Sequence, residues 1–161
     1  MNTFALAFIG GIAGAVLMDI TETGMARIGI GSGVTVALVG RWFLGLLRGQ
    51  LIHADIAASP SLPGEERIGW AFHFLAGGGG VALIYAAFSL IVGTVDPTHH
   101  LVGGLLFGLV TSLLPWFVLL PAFGWGRFGR GGPRGSNALL ASPLSHIPYG
   151  LGVGAVMALG V

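Results

Sequence analysis

The apolar positions of this chain fall in long unbroken runs rather than in alternation. Four runs reach the roughly 20 residues that a helix needs to cross bilayer hydrocarbon. They cover about 4–25, 68–92, 101–120 and 138–161. In lipid the backbone must satisfy its own hydrogen bonds, which only helices and closed barrels do. The two-residue alternation of a barrel strand is missing, so the runs read as helices. A further apolar stretch, VTVALVGRWFLGLLRGQLI at about 34–52, carries Arg41 and Arg48 seven residues apart on one helical face. It reads as an amphipathic helix lying at the membrane interface. The pattern predicts an all-α integral membrane protein, with four transmembrane helices and one interfacial helix in a single domain over 1–161.

Arginine placement decides between four spans and five. With four, Arg27, Arg41, Arg48 and Arg67 fall in the first connection, and Arg127, Arg130 and Arg134 in the third. Both connections lie on one side, while the second connection, GTVDPTHH, and the termini carry none. The positive-inside rule then puts the arginine-rich loops in the cytoplasm and both termini outside. A fifth span would move the last three arginines to the other side. The opening MNTFALAFIGGIAGAVLMDI lacks the positive n-region of a secretory signal and reads as an uncleaved first span.

Composition narrows the chemistry. Of 161 residues 54% are hydrophobic and only 8% charged, against about 25% charged in soluble domains. The mean hydropathy is +0.89, so polar residues are too few to cover a water-facing surface. There is no cysteine, which excludes thiol catalysis, disulfides and thiolate metal sites. There is no lysine, which excludes Schiff-base chemistry. The net charge of +1 gives no reason to expect a nucleic-acid partner. The 30 glycines fit helix packing in lipid, where small residues let backbones approach. Gly10/Gly14, Gly104/Gly108 and Gly150/Gly154 are small-xxx-small pairs, pointing to a tight bundle or to self-association. The run Gly77–Gly80 predicts a flexible point, a close crossing or room for a ligand.

The ionisable residues of the spans converge on the arginine-rich side. Asp19 and Glu22 share a face near that end of the first span. Glu66 and His73, with Trp70 between them, open the second span, and His146 sits in SPLSHIPYG of the last. His53 ends the interfacial helix, and Trp116 lies in LPWFVLLP. Ionisable side chains in spans usually face the interior and pair. Histidines and carboxylates on facing helices are the donor set of bundle metal sites. His53, Glu66, His73 and His146 are therefore candidate ligands for Fe, Mn or Zn, with haem held by His73 and His146 as a lesser alternative. Glu66 or Asp19 would act as general base toward a metal-bound water. Arg41 would hold an anionic group such as a lipid headgroup, and Trp42, Trp70 and Trp116 would wall a pocket for a hydrophobic or lipid-like substrate.

Plainer roles stand beside these. His73 is equally well a buried histidine bonded to a neighbour, and Asp19 a partner for Arg41 or Arg27. Glu22 is near enough to the interface to be solvated. Glu65, Asp55 and Arg67 read as wet loop charges, and His99 and His100 as a solvated loop pair. No fixed-spacing motif such as HExxH is present. Two other functions compete. One is a small proton-coupled transporter, acting as a dimer, with Glu66 and His73 as relay; the nearly apolar outer halves of the spans argue against it. The other is an accessory subunit or homo-oligomer without chemistry, built on the small-residue faces.

Met18-Asp19, Gly40-Arg41-Trp42, Gly49-x-x-x-His53, Glu66-x-x-Gly69-Trp70-x-x-His73, Pro115-Trp116, Pro121-x-x-Gly124-x-Gly126 and His146 occur in that order. In this the chain resembles a family of small bacterial inner-membrane proteins known only as a domain of unknown function. The resemblance covers nearly the whole chain. It implies a four-span protein of the bacterial inner membrane and implies no activity.

Overall fold

Asn2 opens the first helix, α1 (Thr3–Ala26), by accepting the Phe4 N–H on its side-chain oxygen at 2.8 Å. A computed structural model describes residues 2–93 and 96–161, and among these every regular element is helical. Thr35 caps α2 (Val36–Leu46), taking the Leu38 N–H on its hydroxyl. This helix is shorter than the pattern predicted. A turn follows Leu46, and Gly49 adopts φ +85°, a left-handed conformation that stops a helix.

α3 runs unbroken from Glu65 to Val92, with its Phe72–Gly80 stretch wound as π-helix. Asp96 caps α4 (Pro97–Ala122) by accepting the Thr98 and His99 N–H groups, and Pro97 sits where its missing N–H costs nothing. Pro115 opens a second π-helical stretch, Pro115–Leu119. α5 spans Asn137–Ala158 and contains Pro143 and Pro148. α1, α3 and α4 are each long and apolar enough to cross a membrane. α5 has 22 residues, about 33 Å of helix at about 1.5 Å per residue. Its serines, prolines and His146 dilute its apolar character.

α5 is the centre of the bundle, packed between α1 and α4, while α3 packs on the other side of α1. Glycine makes these crossings close. A Cβ on Gly104 or Gly108 would run into the backbone of α5 at Gly150, Gly154 or His146, and one on Gly14 into Tyr149. The small-xxx-small pairs are thus spent on crossings within one chain. The glycine run is likewise a crossing: a Cβ on Gly11 would meet the Gly78 carbonyl, and one on Gly79 the Phe8 ring. The core between α1, α3 and α5 holds Leu6, Ala7, Ala82, Tyr85, Tyr149 and Val153. Contacts run antiparallel, with Gly10 against Val153 and Gly14 against Tyr149, and with Gly104 against Gly154 and Gly108 against His146.

That topology brings the end of α1, the start of α3, the end of α4 and the start of α5 together. α2 and the loops form a layer across this end, crossing α3 where Gly40 and Gly69 allow backbone contact. A second core of Val39, Ile56, Leu120, Phe123 and Trp125 sits beneath the layer. The loop after α2 is joined to the end of α4. The His53 N–H donates to Ala122 O at 2.8 Å, the Ile56 N–H to Phe123 O at 2.9 Å, and Trp125 Nε1–H to Asp55 Oδ1 at 3.0 Å. That indole bond and the Ala57 N–H hold the Asp55 carboxyl below its ordinary range. Asn137 Nδ2 reaches Gly29 O at 3.2 Å. All seven arginines lie at this end.

Candidate functional site

Between α1, α3, α4 and α5, under the α2 layer, lies a cavity of about 460 Å³. Most of its wall is apolar, from residues such as Met18, Val39, Phe72, Val81, Val118 and Leu119. Its polar groups are Glu22 from α1, Ser32 from the loop after it, Trp42 from α2, His73 from α3, Thr111 from α4, and Ser142, Ser145, His146 and Tyr149 from α5.

Each polar group is placed by its helix. Asp19 on α1 faces His73 on α3, with Oδ1 3.0 Å from Nε2, at ion-pair distance. The contact lacks the alignment of a hydrogen bond, and Nε2 is buried without one. The His73 ring sits edge-on to Trp70 and Phe74, with centroids 6.1 and 5.0 Å away. Glu22, one turn beyond Asp19, approaches the Ser145 hydroxyl and lies within electrostatic reach of Asp19 and His73. His146 Nδ1 lies 2.8 Å from Ser142 O. A carbonyl only accepts, so Nδ1 carries the proton and Nε2 keeps a free lone pair. Backbone fixation of one ring nitrogen sets the tautomer and aims the other. Tyr149 O–H donates to Gly78 O at 2.8 Å, tying α5 to the π-helical turn of α3.

The predicted site residues divide into two groups. His73, His146 and Trp42 line the cavity, and Asp19 stands behind His73. Trp42 donates Nε1–H to Leu51 O at 3.2 Å and packs edge-on to Phe72. The others lie elsewhere. His53 is buried in the loop layer, where Nδ1 meets Gln50 Nε2 at 3.2 Å and Ser59 Oγ at 3.4 Å, and Nε2 has no partner. Burial first, and the Arg41 charge second, hold its pKa below the ordinary histidine value. Glu66 is exposed in a shallow surface pocket with Leu62, Gly64 and Arg67. Trp70 is 40% exposed and stacks on Phe74. Trp116 packs against Phe128 and leaves its buried Nε1 without a partner. The expected quartet of His53, Glu66, His73 and His146 is therefore not brought to one point. Among the described residues no three His, Asp or Glu side chains are grouped to hold a metal ion.

Arg41 makes four hydrogen bonds. Nε and Nη2 make a two-pronged pair with Glu65 at 2.8 Å each, and Nη1 donates to Ile56 O at 2.9 Å and Ser59 O at 2.7 Å. Glu65, read from the sequence as a wet loop charge, is instead the buried partner, and it also accepts the Leu62 N–H at 2.8 Å. Arg41 thus pins the loop layer over the cavity rather than reaching into it. Asp19 finds His73, not Arg41 or Arg27.

Ser142, Ser145 and Tyr149 also line the cavity, and nothing in the sequence marked them, because hydroxyls in an apolar helix carry no spacing signal. His100 read from the sequence as a solvated loop residue. Asp96 starts α4 early enough to bury that ring, 2% exposed, with Nδ1 3.2 Å from the Tyr85 hydroxyl. This second polar node lies at the opposite end of the bundle from the cavity.

Chemically, the arrangement sets an imidazole–carboxylate pair and a second imidazole beside a mostly apolar wall. No curated protein and no solved structure matches the chain. A family model described as "Protein of unknown function (DUF2938)" matches residues 8–159, so this chain belongs to the DUF2938 family.

Proposed function

We propose that this protein binds an apolar, lipid-like molecule in the cavity among its helices, with the polar end of that molecule set among Glu22, His73 and His146. The observation that carries this reading is the cavity itself. At about 460 Å³ it has the size and the mostly apolar wall of a small-molecule site, with a few convergent polar groups. The arginine distribution supports a cytoplasmic position for the cavity's end of the bundle, and the family resemblance supports a bacterial inner membrane. The Asp19–His73 pair beside the cavity supports proton exchange with the bound molecule as the chemistry to look for, if the protein is an enzyme.

The test is saturable binding of a fluorescent long-chain probe to purified protein in a mild detergent. Binding should saturate near one probe per chain and weaken about tenfold or more when Val81→Phe fills the cavity. Binding that never saturates, or that Val81→Phe leaves unchanged, would sink the proposal. The divalent-metal version of this reading is tested on the same preparation. Stoichiometric Fe, Mn or Zn that disappears in His73→Ala supports it, and metal-free protein that still binds the probe removes it.

A further inference from the structure

Six of the polar groups around the cavity have hydrogens turned onto backbone carbonyls. Thr111 O–H donates to Gly108 O at 2.8 Å, and Ser142 O–H to Ser112 O at 3.3 Å. Ser145 O–H is 3.1 Å from Ser142 O, with Glu22 as its other partner, and Tyr149 O–H donates to Gly78 O at 2.8 Å. Trp42 Nε1–H is spent on Leu51 O and His146 Nδ1–H on Ser142 O. Each of these donors is turned back onto a backbone carbonyl, the usual recourse of hydroxyls in apolar helices. What remains toward the cavity is accepting capacity: hydroxyl lone pairs, His146 Nε2 and the Glu22 carboxyl. Two lining side chains keep uncommitted donor capacity. Ser32 accepts the Val34 N–H at 3.2 Å and has its own hydrogen free, and His73 has its ring N–H. Among the described residues no arginine lines the cavity, and Arg41, on the same helix as the lining Val39 and Trp42, is engaged by Glu65 and the loop carbonyls.

Resting on the binding function proposed above, we infer that the cavity selects an apolar molecule whose polar head donates hydrogen bonds, a hydroxyl or a protonated amine, and rejects anionic heads such as carboxylate or phosphate. An anion here would find no arginine on the wall and would leave the acceptors unpaired. A donating head satisfies His146 Nε2 or Glu22 at once. Unpaired buried polar groups are what make such sites selective.

The test compares four probes of one chain length on the full-length protein in mild detergent, each displacing a bound fluorescent long-chain probe. Dodecanol and dodecylamine carry donors, methyl dodecanoate only accepts, and dodecanoate is an anion. The two donor probes should displace about tenfold more tightly than the other two, the worth of about one net hydrogen bond. Glu22→Gln should weaken dodecylamine selectively, while Glu66→Gln, outside the cavity, should change nothing. Preference for dodecanol alone, unchanged by Glu22→Gln, would assign recognition to His146 and keep the donor rule. Dodecanoate binding as tightly as dodecanol would overturn the inference while leaving the binding site itself in place. Failure of every probe to displace, with the fluorescent probe itself unbound, would fail the binding function instead. The comparison on unaltered protein does not depend on any variant folding.

Discussion

Removing Arg41 should open the loop layer over the cavity while leaving the four-helix bundle standing. The guanidinium makes four hydrogen bonds, two to the Glu65 carboxylate and two to the Ile56 and Ser59 carbonyls. Arg41 and Glu65 side chains are each 11% exposed. Arg41→Ala deletes these bonds and leaves the Glu65 carboxylate with the Leu62 N–H alone. Breaking a buried pair from one side typically costs about 3–5 kcal/mol, and two unpaired carbonyls at the loop can reach water once it opens. The expected loss is therefore about 3 kcal/mol, concentrated in residues 51–59. Hydrogen exchange on protein in detergent reads this by segment. Protection should fall by about two orders of magnitude in 51–59 and at the start of α3, with the glycine crossings of α1, α4 and α5 unchanged. Arg41→Lys should restore little, because a point charge cannot bridge two carboxylate oxygens and two carbonyls. Replacing both partners, Arg41→Met with Glu65→Leu, should recover more stability than either single change. Equal protection of 51–59 in wild type and Arg41→Ala would refute the clamp.

Other outcomes follow from the same structure. His53 titrates below its ordinary value, so the folded state prefers the neutral ring. Its contribution is present above the unfolded pKa of about 6.5 and is lost as pH falls toward the folded value. His53→Gln should flatten the fall in melting temperature between pH 7 and 5, and an unchanged slope counts against a buried neutral ring. Gly150→Ala should cost about 1–3 kcal/mol or more by driving a methyl into the Gly104 carbonyl. Gly24→Ala, with nothing within 4 Å, should be neutral or gain up to about 1 kcal/mol of helix propensity; thermal melts that rank the two the other way contradict the crossing. Tyr85→Phe leaves His100 Nδ1 without its hydroxyl partner and should cost about 1–2 kcal/mol. A neutral result would mean that the ring finds another partner.

The helices were legible because hydrophobic length is written directly in sequence. The apolar runs at 4–25, 68–92, 101–120 and 138–161 correspond to helices Thr3–Ala26, Glu65–Val92, Pro97–Ala122 and Asn137–Ala158. The ends were harder, because caps decide them. Asp96 starts α4 four residues before the apolar run, and Gly49 stops α2 well short of Ile52. The convergence of Asp19, Glu22, His73 and His146 at one end was legible from helix direction and depth alone. What depth cannot give is azimuth. Glu65 and Glu66 are adjacent, yet a turn of about 100° per residue sends one to Arg41 and the other to the surface. His53 was in the right layer but in a loop whose path is set by backbone bonds to Ala122 and Phe123, and no spacing rule encodes that. The hydroxyl lining of α5 became visible only once its partners were in place.

The cavity should hold an apolar molecule when the protein is extracted gently, and native mass spectrometry of the protein, released from a mild detergent without prior delipidation, reads this out. The expected spectrum shows the 16.4 kDa chain carrying one small apolar molecule, which is absent from Val81→Phe prepared in parallel. A bare chain mass in both preparations, under conditions that keep other membrane proteins lipid-bound, would contradict the account.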